Sequence, residues 1–153
     1  MAAGIRINIT PSYPIGVYQI IHEPITKGSM VIFCPPDNVV TRQALNRGYI
    51  MAGFCPGGYS TLIKKVFAIK GDKVKFTAVG IYVNENLIPN SQPKKFDSAG
   101  RSLNSIETGT QILDGQMIMF LSDYNPKSFD GRYFGFVNKT SYIVGTIKPI
   151  WVW

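Results

Sequence analysis

A chain of 153 residues that is 45% hydrophobic is long enough for one ordinary core and too short for two comfortable domains, so a single domain over residues 1–153 is expected. Its net charge of +7 is spread thinly, since the densest basic groups, Lys64-Lys65 and Lys94-Lys95, hold two residues each; that pattern fits a solvated basic surface better than a specific nucleic-acid footprint, with attraction to an anionic membrane surface as a second reading. The longest apolar runs, Met117-Ile118-Met119-Phe120-Leu121 and Tyr142-Ile143-Val144-Gly145, exclude a bilayer-crossing helix, which needs roughly 18 residues.

Met1-Ala2-Ala3-Gly4 has neither the basic start nor the apolar centre of a signal peptide, so the chain is expected to be cytosolic or to have lost a targeting or anchoring segment. After a turn-rich start at Thr10-Pro11-Ser12-Tyr13-Pro14, alternating and β-branched stretches predict strands over residues 17–22, 30–34, 64–68, 73–77, 80–83, 116–121 and 142–150. A helix is predicted over 39–47, with Asn38 or Asp37 as N-cap and Gly48 just past its end. Asn84-Glu85-Asn86 reads as a hairpin turn, because asparagine tolerates the left-handed conformation. Residues 90–110 are polar and rich in turn formers, which predicts a long loop or extended ribbon with little core of its own. The architecture is therefore mostly β, with one short helix.

The chain holds one histidine, His22, at a strand end before Glu23-Pro24 and poorly placed to act as a base. A hydroxyl nucleophile here would need another proton acceptor, and a desolvated lysine is the known substitute. Ser12 and Lys64 are the pair to consider. A lysine accepts a proton near neutral pH only if its pKa falls from about 10.4 toward 7 to 8, and burial among Leu62, Ile63 and Val66 can supply that shift. Lys64 and Lys65 point to opposite faces of a strand, so only one can reach Ser12.

Cys34 and Cys55, each beside turn formers, leave two options, a disulfide or two buried thiols; the disulfide is the favoured one, and it implies an oxidising compartment. No clustered metal-ligand spacing and no phosphate-binding glycine loop appears, so no metal or other cofactor is expected. Ser91-Gln92-Pro93-Lys94 has the Ser-x-x-Lys spacing of penicillin-recognising enzymes, but that motif opens a helix and this copy holds a proline in a polar loop.

Three segments resemble the Ser-Lys signal peptidases in order and spacing, from about Thr10 to the chain end. They are Ser12-Tyr13-Pro14, the strand Lys64-Lys65-Val66-Phe67-Ala68-Ile69-Lys70-Gly71-Asp72, and the box Ser122-Asp123-Tyr124-Asn125 followed by Ser128-Phe129-Asp130-Gly131-Arg132-Tyr133-Phe134-Gly135. Conventional members place one more residue between serine and proline. Ser-Tyr-Pro-x-Gly-x-Tyr, together with Cys34-Pro35-Pro36, Arg47-Gly48-Tyr49 and Cys55-Pro56-Gly57-Gly58, is similar to the TraF-type peptidases of conjugative transfer. The third box has Tyr124-Asn125-Pro126 in place of the family's Asn-Arg-Asp centre, so roles of those side chains do not carry over.

The resemblance implies a signal-peptidase-like coiled β core and a serine peptidase with Ser12 as nucleophile and Lys64 as base. It implies an oxyanion hole from the Ser12 N–H and the Thr10 hydroxyl, a Ser128 that directs the lysine, a supporting Asp130–Arg132 ion pair, and a Lys65 that pairs with Asp123. Tyr13, Leu62 and Ile63 beside them are candidates for substrate binding. The implied substrate is a pilin or other membrane-bound precursor, cleaved and joined end to end in the TraF-like case, at the periplasmic face of a bacterial inner membrane. The apolar residues Tyr13, Ile15, Val17, Ile20 and Ile21 are expected at the membrane surface. Two alternatives stand beside this: a conventional signal peptidase for exported preproteins, and a non-catalytic basic β-domain binding nucleic acid or a partner protein.

Overall fold

The computed structural model describes residues 4–106, 108–140 and 143–153. Met1, Ala2, Ala3, Glu107 and Tyr142, on which parts of the leader, loop and last-strand expectations fall, lie outside the described residues.

In chain order the elements are β1 Ile5–Asn8, β2 Gly16–Ile20, β3 Met30–Phe33, α1 Val39–Asn46, β4 Ala52–Cys55, β5 Leu62–Ala68, β6 Lys73–Thr77, β7 Gly80–Val83, β8 Asn86–Leu87, β9 Gly109–Ile112, β10 Met117–Leu121, α2 Gly131–Phe134, β11 Val137–Asn138 and β12 Ile143–Val152. The fold is mostly β. Seven strands in the order β1-β2-β12-β3-β5-β10-β11 make a large sheet that curls into a half barrel, and β8-β7-β6-β9 make a smaller one. Neighbouring strands of both sheets pair antiparallel.

Pleating decides what β5 presents to each side. Leu62, Lys64, Val66 and Ala68 are buried while Ile63, Lys65 and Phe67 are half-buried, the period of two that sends alternate side chains to opposite faces. Leu62 and Val66 join Val31, Phe33, Phe120 and Phe134 in the main core, with Phe33 and Phe120 stacked at 4.0 Å. A second cluster, around Val74, Ile81, Met119 and Leu121, fixes the smaller sheet against β10.

Helix α1 is capped as its sequence predicts: the Asn38 side chain accepts from the Thr41 N–H at 2.9 Å. In the β7–β8 hairpin Asn84 and Glu85 both have positive φ, so the turn is the two-residue kind and Asn86 already belongs to β8. The strand predicted over 17–22 ends at Ile20, because His22 turns left-handed and the Glu23 N–H donates to the Thr146 hydroxyl at 2.7 Å instead of continuing a ladder. Strands β1, β4, β9, β11 and helix α2 were not predicted. Of these β9 is exposed along its length and α2 has only four residues, so neither carries an apolar period to read. Residues 90–110 are largely irregular before β9, with one bridge from Phe96 to Ser102, but they are anchored through buried Ser91.

Cys34, after β3, and Cys55, ending β4, are joined in a disulfide. With a sequence separation of 21, that crosslink is worth about 3 kcal/mol in the chain-entropy picture. Denaturant titration with and without reductant should show a loss of that order, and thiol counting on unfolded, unreduced protein should find no free thiol. Two free thiols in protein recovered from an oxidising compartment would contradict the crosslink.

Candidate active site

The turn between β1 and β2 carries Ser12, and its shape comes from one buried side chain. Asn8, the last residue of β1, places its amide nitrogen within 3.0–3.1 Å of the carbonyls of Thr10, Tyr13 and Pro14, and its oxygen accepts from the Thr10 N–H and hydroxyl. A second grip comes from the loop after β10. The Ser122 hydroxyl donates to the Ser12 carbonyl, and the Asn125 amide donates to the Pro11 carbonyl at 3.1 Å. Neither Asn8, Ser122 nor Asn125 was assigned a role from the sequence. Asn8 sits in an unremarkable Ile-Arg-Ile-Asn segment, whereas Ser122 and Asn125 lie inside the box that marked the third matching segment.

Lys64 reaches this turn from β5, its Nζ 2.6 Å from Ser12 Oγ and 2.9 Å from Ser128 Oγ, while the two hydroxyls lie 3.2 Å apart. The lysine is 2% exposed. Burial lowers its pKa to about 8, with the Asp130 carboxylate opposing the shift and the Arg132 guanidinium adding to it. Neutral Lys64 can therefore take the Ser12 proton while one of its own N–H bonds stays on Ser128, a geometry suited to general-base activation of a hydroxyl.

The segment that carries Ser128 is tied down two residues earlier, where Arg132 Nη1 donates to the Pro126 carbonyl. Asp130 caps the short α2 and forms a two-pronged pair with Arg132, at 2.8 and 2.9 Å, and both residues are fully buried. The remaining Arg132 donors reach the carbonyls of Asn90, Gln92, Ser122 and Pro126. One guanidinium thus ties the 90–92 stretch of loop to the segment that contacts Ser12. Gly131 between them has to be glycine, because a Cβ there would lie 2.7 Å from the Phe120 carbonyl oxygen.

On the opposite face of β5, Lys65 lies 3.2 Å from Asp123, which also accepts from the Tyr13 hydroxyl at 3.2 Å. Tyr13 does not line the cleft that opens at Ser12. It is buried, its hydroxyl also reaches the Leu121 carbonyl, and burial beside the Asp123 charge pushes its pKa well above the usual phenol range. Leu62 and Ile63, by contrast, line the floor of a cleft of about 870 Å3 that opens at Ser12 and Lys64. Thr10 also lines that cleft, but its hydroxyl donates to Asn8 at 2.9 Å, so an oxyanion would have to compete with Asn8 for it. The Ser12 N–H makes no hydrogen bond among the described residues.

Of the residues expected at the membrane surface, Tyr13 is buried, while Ile15, Val17, Ile20 and Ile21 are half-buried in and around β2, which β1 and β12 flank. The exposed apolar strip belongs to those flanking strands. Exposed there are Ile5, Ile7, Ile9, Ile150, Trp151, Val152 and Trp153, of which Ile7 and Trp151 share one face with Val17 through cross-strand pairing. The strip adjoins the mouth of the cleft, where Ile7 and Ile9 form one wall. Among the described residues no helix is long and apolar enough to cross a membrane, and no cluster of side chains is suited to a metal.

A family profile described as signal peptidase, peptidase S26, matches residues 3–153. A plasmid transfer protein TraF of Escherichia coli is 43% identical over 151 residues, covering 99% of this chain and 85% of that protein. A conjugal transfer protein TraF of Agrobacterium fabrum is 33% identical over 152 residues, covering 98% and 84%. The crystal structure of a signal peptidase I from Enterococcus faecalis aligns with 82% of this chain and 98% of that one, at 15% identity and a TM-score of 0.43.

Proposed function

The chain belongs to the signal peptidase S26 family, and from that premise we propose that it is a Ser-Lys serine endopeptidase that matures a pilin or another membrane-bound precursor for conjugative transfer. The observation that carries the mechanism is the 2.6 Å approach of a buried Lys64 to Ser12 Oγ. Ser12 Oγ attacks the scissile carbonyl as its proton passes to neutral Lys64. The oxyanion takes the free Ser12 N–H, with the Thr10 hydroxyl as a second donor once it turns from Asn8. The tetrahedral adduct collapses, the leaving amine takes the proton back from the Lys64 ammonium, and an ester remains on Ser12.

Resolution of that ester by water gives a linear product, whereas attack by the precursor's own amino terminus gives a ring, and the second prevails only if the site holds that amine close. The family's TraF relatives support conjugation as the setting. Support for the periplasmic face of a bacterial inner membrane comes from the Cys34–Cys55 disulfide and from the tryptophan-bearing strip beside the cleft, since amphipathic indoles favour the lipid–water boundary.

Mass spectrometry of the pilin from a transfer-proficient strain tests both steps. Intact enzyme should give a processed pilin that is absent with Ser12→Ala, and a mass one water below the linear product marks ring closure. Normal pilin maturation in the Ser12→Ala strain, with unprocessed exported proteins accumulating instead, would replace this reading with a conventional signal peptidase.

A further inference from the structure

The cleft is far more basic than the chain as a whole. Besides Lys64 its walls carry Arg6, Arg47, Lys94, Arg101 and Lys127 against one acid, Asp97, whereas the whole chain has 16 basic and 9 acidic residues. That acid is fully used: it accepts from the Tyr49 hydroxyl, from Arg101 Nε at 2.6 Å, and from the N–H groups of Ala99 and Arg101. It therefore neutralises Arg101 alone. Arg6, Arg47, Lys94 and Lys127 have no carboxylate partner among the described residues.

Arg47 is the organised member of this group. It caps the C-terminal end of α1, and its side chain is half-buried, with Nη1 donating to the Ser102 carbonyl at 2.7 Å and to Tyr49 Oη at 3.3 Å. Tyr49 passes the contact on to Asp97, so Arg47-Gly48-Tyr49 and the 97–102 segment form one network at the cleft wall. Only one terminal nitrogen is spent on these bonds, which leaves Nη2 and Nε of a positioned, cleft-lining guanidinium without a partner among the described residues. A planar, oriented fork is suited to a carboxylate, and its rotamer freedom is already restricted before a ligand arrives.

We infer that this wall is a carboxylate-binding subsite, with Arg47 as its anchor, that selects precursors carrying an acidic side chain or a free C-terminal carboxylate at a fixed distance from the cleaved bond. The inference rests on the peptidase reading of Ser12 and Lys64. Lys94 and Lys127 raise the local anion concentration without fixing its position.

A peptide library made by digesting a bacterial proteome, cleaved with the enzyme and read by mass spectrometry, tests it. Wild type should enrich aspartate, glutamate or the peptide terminus at one position relative to the new ends. For a peptide chosen from that set, changing the acid to its amide should lower kcat/KM about tenfold to a hundredfold, the range of a charge-assisted hydrogen bond. Glutamate to glutamine reports a side-chain carboxylate, and C-terminal amidation reports the chain end. Arg47→Gln should collapse the acid-to-amide ratio toward one, whereas Lys148→Gln, which is not part of the cleft lining, should leave it. A merely structural Arg47 would lower both peptides together and keep the ratio. Ser12-dependent cleavage without acid enrichment, or an unchanged ratio in Arg47→Gln, would overturn the subsite alone. Cleavage equal in wild type and Ser12→Ala would overturn the peptidase reading and the subsite with it.

Discussion

Replacing Ser12 by alanine or Lys64 by methionine should each reduce peptide cleavage by at least about 10⁴-fold, because nucleophile and base act as one unit and the loss of either removes the same step. Lys64→Arg should be equally inactive, since a guanidinium does not give up its proton. Lys65→Met, on the other face of β5, should only weaken cleavage through its contact with Asp123. Retention of activity in Lys64→Met with loss in Lys65→Met would reassign the base.

The same lysine fixes the pH dependence. With a folded pKa of about 8, Lys64 is a base above that pH and an ammonium below it, so kcat/KM should rise tenfold per pH unit on the acid side and level off above about 8. A flat profile between pH 5 and 9 would argue against a lysine base. Stability carries the matching sign. The folded protein holds its lysine below the ordinary 10.5, so between pH 8 and 10.5 the unfolded chain binds more protons and stability rises with pH. Below pH 8 the full penalty applies, roughly 3 kcal/mol. Lys64→Met removes that penalty, so the inactive variant should melt no lower than wild type at pH 7, and its stability should lose the rise above pH 8.

The second large effect is on folding. Asp130→Asn leaves the Arg132 guanidinium buried without its counter-charge, and Arg132→Met leaves a buried carboxylate in the same position; breaking such a pair costs about 3–5 kcal/mol. Against a total stability of roughly 5–15 kcal/mol this is a large share, and for a chain of this size it lowers Tm by about 6–20 °C. Activity should fall in the protein that remains folded, because the Arg132 donors hold the carbonyls of Ser122, whose hydroxyl reaches the Ser12 carbonyl, and of Pro126, two residues before Ser128. A change below about 1 kcal/mol for both variants in calorimetry would mean that the pair and its carbonyl contacts are not what holds this loop.

Much of the architecture was legible in the sequence because it rests on periodicity. Strands β6 and β7 fall where alternation predicted them, and α1 starts at the Asn38 cap, since local pleating and capping depend on neighbours a few residues away. The family, too, could be read from Ser12-Tyr13-Pro14, the Lys64 strand and the Ser128-Phe129-Asp130-Gly131-Arg132 box, as motifs in order. What sequence could not supply was the use of residues whose partners lie far along the chain. Asn8 gave no local sign of shaping the Ser12 turn, and Tyr13, beside the nucleophile in sequence, faces away from the cleft to meet Leu121 and Asp123 more than a hundred residues on. Exposed apolar side chains on the flanking strands were likewise not legible: Ile7 and Trp151 lie on the same face as Val17 only because β1 and β12 pair with β2, a register that no single segment reveals. Sequence by itself determined the chemistry available, a serine, a lysine and the motifs around them. Only the tertiary structure decided that residues 52 positions apart close to 2.6 Å and that the lysine there is dry, because the distance is set by the curl of a sheet in which β12 and β3 stand between β2 and β5, and the desolvation by packing of side chains far apart in the chain.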